Sequence, residues 1–240
     1  MPRHRRRVAA GACLLIALVA WYELYDRVSD QPDWADVALV GGVLMPMVFG
    51  LVWLALPSRD APRLLAYAAG CGALAAILHV GDVEVGANFL KLAAMTLGGF
   101  WFLRFFERLS WVVGIACAVP LVDAVSVWRG PTHHIVTEQP RVFGALSVAF
   151  PAPAGDFFAL GLPDLLFFAL FLAAADRWAL RVWLTWALMV ASFTATISLA
   201  IWADPFGIGG LPALPGLSIA FLLANADILR RRLQRRRADA

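Results

Sequence analysis

From Val8 to Leu229 the chain is a succession of long apolar runs broken by turns, and every arginine of that stretch lies in a turn. A run of about twenty apolar residues matches the roughly 30 Å hydrocarbon core of a bilayer when it is helical. Backbone polar groups find no water there, so each run must satisfy its own hydrogen bonds, which a helix does. The runs are Val8–Tyr25, Val37–Leu56, Leu64–Val80, Gly86–Leu103, Leu109–Trp128, Phe157–Ala175, Val182–Ala203 and Leu211–Leu229. They predict one all-α, polytopic transmembrane bundle of about eight helices over 1–240, with N-terminal helices in 1–108 and a second group in 109–240. With 61% hydrophobic residues, 15% charged residues and a mean hydropathy of +0.74, the chain lies outside the soluble globular range.

The net charge of +3 does not point to nucleic acid, because the arginines sit at the two ends and in turns. That pattern orients a membrane protein. Met1–Arg7, Arg59/Arg63, Arg104/Arg108, Arg177/Arg181 and the tail Arg230–Arg237 alternate with turns that are acidic or nearly uncharged. All five basic stretches therefore fall on one side, the cytoplasmic one, with both termini, and the connection Arg129–Asp156 lies outside. The first run is read as an anchor, since it continues into the interfacial pair Trp21–Tyr22; a basic start and a short apolar core also fit a cleaved signal.

Two of the runs carry a carboxylate near the outer end: Asp123 in Leu121-Val122-Asp123-Ala124 and Asp164 in Gly161-Leu162-Pro163-Asp164. Such residues are costly in a hydrocarbon-facing helix and face a protein interior or a water pocket. At 1.5 Å per residue both fall roughly 7 to 11 Å below the outer interface, so they can meet. Two carboxylates a few ångströms apart cannot both ionise readily, and the pair shares a proton. The ionised member then takes a proton from water while the protonated one donates to a peptide carbonyl, which is aspartic-protease chemistry.

Val122-Asp123, Gly161-Leu162-Pro163-Asp164 and Pro212-Ala213-Leu214, in that order on predicted helices, resemble the three marks of the presenilin and signal peptide peptidase family of intramembrane aspartyl proteases. Those marks are Tyr-Asp, Gly-x-Gly-Asp and Pro-Ala-Leu. Gly130-Pro131-Thr132, Val136-Thr137-Glu138, Leu146–Pro151 and Phe158–Leu162 extend the likeness, which covers Leu121 to Asn225. The resemblance implies a presenilin-like arrangement of helices and a catalytic dyad of Asp123 and Asp164. It implies a substrate-binding corner from Gly161, Leu162, Pro163, Pro212, Ala213 and Leu214, with no cofactor and no metal. The partners it implies are transmembrane or signal-peptide helices with cytoplasmic N-termini, in a bacterial or archaeal plasma membrane. In that family the substrate unwinds and pairs as a strand, and Val142–Phe150 is a candidate to receive it; an interfacial loop is the plainer reading. Val122 stands where the family has Tyr, and Pro163, which lacks an amide donor, where it has Gly. The family also has nine spans. A non-cleaving relative that only binds helices therefore remains an alternative. An ion-coupled transporter is another, although the paired broken halves expected of one are not visible. A prepilin-peptidase-like enzyme has a similar span count but works at the cytoplasmic face.

The remaining polar residues have plainer readings. Cys13, Cys71 and Cys117 are unpaired in spacing and read as small core residues. His133-His134 with Glu138 has metal-ligand spacing, but a solvated loop after Pro131 explains it. Lys91 is expected to snorkel to the outer interface, Asp227 to pair with the terminal arginines, and Pro46 to mark a kink.

Overall fold

The computed structural model describes residues 2–27, 32–129, 144–151, 157–203 and 212–238. Among them the chain is mostly helical. Helix α1 is Pro2–Leu24; α2 runs from Asp33–Leu39 through a π-helical segment, Val40–Leu44, into Met45–Ala55 and exits by a 3-10 turn, Leu56–Asp60. Then come α3 (Leu64–Val80), α4 (Glu84–Phe102), α5 (Leu109–Arg129), α6 (Leu162–Arg177), α7 (Val182–Ala203) and α8 (Leu214–Ala238). Three helical stretches among the described residues are long and apolar enough to cross a membrane, Arg5–Leu24, Trp34–Asp60 and Val182–Leu199, and Leu64–Val80 and Leu109–Asp123 are shorter apolar helices. Large apolar side chains also stand on the outside, among them Val80, Leu121 and Val122. A face of that kind is normal against hydrocarbon and unusual against water.

The core is organised around α6. Every residue from Phe168 to Ala175 is fully buried, as expected of a helix apolar on all sides. Phe168 stacks on Phe49 of α2 at 4.0 Å between ring centroids, Phe49 on Phe193 of α7 at 4.8 Å, and Phe171 on Phe221 of α8 at 4.9 Å. Helix α4 lies against α6 at Gly99, where an added Cβ would come within 2.5 Å of the Leu166 carbonyl oxygen. At Pro46, expected to mark a kink or a packing feature, the helix carries a π segment just before the proline. Proline offers no N–H to the preceding turn, so that turn widens, and the Thr194 hydroxyl of α7 donates to the Gly41 carbonyl at 3.1 Å.

The all-α expectation needs one amendment. Strand β1 (Ser147–Pro151) pairs antiparallel with β2 (Phe157–Gly161), with Ser147 opposite Gly161 and Pro151 opposite Phe157. A helix begun at Phe157 would put Pro163 in its interior, where the ring clashes with the carbonyl four residues back and no N–H closes the turn. The helix therefore starts at Leu162 with Pro163 in its first turn, where proline is well tolerated. Residues 157–161 pair with β1 instead. Of the candidate strand Val142–Phe150, residues 147–150 belong to β1. Residues 142 and 143, and the segments Gly130–Thr132, His133–His134 and Val136–Glu138, lie outside the described residues.

Candidate active site

Four side chains from α1 and α4 hold the hairpin by the edge of β1 that faces away from β2. The Leu162 N–H donates to the Leu146 carbonyl at 3.1 Å. In an antiparallel ladder this sets the alternation: the backbone groups of residues 147, 149 and 151 point away from the partner strand, as do those of 157, 159 and 161. On β1 that outward row is occupied. Lys91 Nζ donates to the carbonyls of Gly144 and Ser147 at 2.8 and 3.1 Å. Asn88 Nδ2 donates to the Ala149 carbonyl at 3.0 Å, and the Ala149 N–H donates back to Asn88 Oδ1 at 3.3 Å. The Tyr22 hydroxyl also donates to the Ala149 carbonyl, and Trp21 Nε1 donates to that of Pro151 at 2.8 Å.

Asn88 thus does for β1 what a third strand would do. Asn88 and Lys91 are 3% and 7% exposed, which corrects the snorkelling expected of Lys91: its ammonium turns inward and donates to two carbonyls of the hairpin segment. Trp21 and Tyr22, read as an interfacial pair, likewise point at the hairpin. Asn88 was missed in the sequence. Its one signal was an amide three residues before a lysine on one face of an apolar helix.

The other edge of the sheet is on β2, whose outer row has no strand partner among the described residues, and it leads into Asp164. Gly161 caps α6 in an extended conformation, and Asp164 is the third helical residue, where an acidic side chain reaches back toward the cap's own N–H. The Asp164 carboxylate packs back against Gly161. An added Cβ at Gly161 would lie 2.9 Å from Asp164 Oδ2. Asp164 therefore sits in the first turn of its helix and not two turns in, as a helix begun at Phe157 would have placed it.

Asp123 approaches from α5. Its Oδ2 accepts the Leu214 N–H at 3.3 Å, so it satisfies one of the donors left open at the start of α8. Pro212 and Ala213 lie just before that helix, with Ala213 and Leu214 buried. Asp123 and Asp164 interact electrostatically across the α5–α6 contact. Leu162 and Gly161 are partly buried and Pro163 is exposed. The site residues expected from the sequence are thus contributed by three helix ends and one strand end. No protein-family model and no curated protein matches this chain.

Each carboxylate has a structural job that would explain it without chemistry, since Asp164 lies in the first turn of α6 and Asp123 reaches across from α5 to the start of α8, places where negative charge is favourable. Two acids brought to one place by separate helix starts are also what acid–base hydrolysis needs. Among the described residues no group of three or more His, Cys, Asp or Glu could hold a metal ion. Asp227, expected to pair with the terminal arginines, pairs with Arg181 at the start of α7, at 2.8 Å.

Proposed function

We propose that the chain is a polytopic integral membrane protein and an intramembrane aspartyl endopeptidase, hydrolysing a peptide bond in transmembrane or signal-peptide helices. Asp123 and Asp164 are its acid–base pair. The observation that carries this reading is the placing of Asp123 on the Leu214 amide, on a helix that packs against the one bearing Asp164 and within electrostatic reach of it. Segments far apart in sequence supply one site, and they are the ones that bear the family's three marks. One carboxylate removes a proton from water, which attacks the scissile carbonyl carbon. The other donates its proton to the carbonyl oxygen; collapse then breaks the C–N bond and returns a proton to the amine.

The hairpin supports a docking mode. A substrate strand adding to a sheet edge needs unsatisfied N–H and C=O groups. On β1 those groups are taken by Asn88, Lys91, Tyr22 and Trp21, so β2 is the edge that receives it, and β1 is not. A peptide running along Ala159 and Gly161 would carry its next residues past Asp164.

The test uses asparagine, because Asn accepts a hydrogen bond at a helix start about as well as Asp but offers no acid. Asp123→Asn and Asp164→Asn are expected to lower cleavage of a model transmembrane peptide by at least about a thousandfold, while the melting temperature in detergent hardly moves. Cleavage by both variants at the wild-type rate would reject the protease. Intact binding of the peptide with no cleavage by the wild type would favour the non-cleaving relative instead.

A further inference from the structure

At the other end of α6 a second site is built. Arg177 ends that helix, thirteen residues after Asp164, hence about 20 Å along the axis. There the exits of α2, α4 and α6 enclose a cavity of about 280 Å³ lined by Arg59, Asp60, Phe100, Leu103, Arg104 and Arg177. Phe100 and Leu103 are buried and apolar. The three arginines are fixed from behind. Arg104 donates to the carbonyl of Ala61, Arg177 to that of Leu103 at 3.0 Å, and Arg59 pairs with Asp176 and with Asp60 at 3.3 Å.

Capping carbonyls is a sufficient reason for one arginine at a helix exit, but it does not cancel the charge. Of the three, only Arg59 pairs with carboxylates among the described residues, so the cavity holds three arginines against one lining carboxylate, Asp60. Each guanidinium carries five N–H groups in a planar fork, and the bonds just named use only part of them. Three guanidiniums with N–H groups to spare beside an apolar floor match a tetrahedral phosphate joined to an apolar body. Basic pockets between membrane helices characteristically take lipid headgroups.

We propose that this cavity binds a phosphate group through Arg104 and Arg177, with Arg59 completing the ring. The apolar floor at Phe100 and Leu103 favours the phosphodiester of an anionic phospholipid over free phosphate, and the two sources separate by experiment.

The purified full chain in detergent is titrated with phosphatidylglycerol, phosphatidylcholine and inorganic phosphate, with bound species counted by native mass spectrometry. Phosphatidylglycerol is expected to saturate one site and to bind at least about tenfold more tightly than phosphatidylcholine, as loss of a charge-assisted contact implies. Competition by millimolar inorganic phosphate would assign the site to phosphate from either source; no competition would assign it to the lipid. Arg104→Gln and Arg177→Gln should each weaken phosphatidylglycerol by about tenfold, and Arg108→Gln, at the same end but outside the cavity, should not. Hydrogen exchange on the wild type is the arm that needs no variant: phosphatidylglycerol should slow the amides of residues 103–106 and 178–180. Equal binding of the two lipids, unchanged binding by folded Arg104→Gln and Arg177→Gln, or no local protection would overturn the proposal.

Discussion

Gly161 is needed for space and not for backbone freedom. Its φ of −60° and ψ of 139° are open to any L-residue, yet a Cβ there would lie 2.9 Å from Asp164 Oδ2. Gly161→Ala should therefore leave the fold intact and push the carboxylate aside. A displacement of about an ångström at a reacting group costs on the order of 100-fold in rate, so cleavage should fall by that order while the thermal melt stays within a few degrees. Wild-type cleavage by Gly161→Ala would mean that the position of Asp164 is unimportant. The candidate acids themselves were legible in the sequence, because carboxylates are rare in apolar runs. Asn88 and Lys91 were not. Their partners are backbone atoms of a hairpin some sixty positions away, and neither residue type announces a contact with a strand.

Among the elements, α3 and α7 begin and end where their apolar runs do, at Leu64–Val80 and Val182–Ala203. The run Phe157–Ala175 misled, since an apolar stretch by itself does not separate strand from helix. Pro163 was the punctuation that divides it. Between α4 and α6 two adjacent glycines give a matched pair of substitutions. A Cβ on Gly98 meets nothing within 4 Å, whereas one on Gly99 meets the Leu166 backbone oxygen at 2.5 Å and Ala169 Cβ at 2.9 Å. Gly98→Ala should stabilise the protein by about 0.5–1 kcal/mol through helix propensity. Gly99→Ala should cost about 1–3 kcal/mol, because the obstacle is backbone that cannot rotate away. Denaturant unfolding in micelles measures both, and equal effects would mean that α4 and α6 are not in contact there.

For the molecule as a whole, the arginine pattern predicts both termini in the cytoplasm and the 129–156 connection on the opposite side. A phosphatase that works only outside should be active when inserted into that connection and inactive when fused after Ala240. A fluorescent protein that matures only in the cytoplasm should behave in the opposite way. Reversed signals would turn the bundle over and move the carboxylates to the cytoplasmic face. One detail of the hairpin bears on how the proposed chemistry would be timed. The Gly161 backbone that packs against Asp164 belongs to the same row that an incoming peptide would use. A peptide paired along β2 would therefore bear on the carboxylate's own support at the moment a bond arrives to be cut.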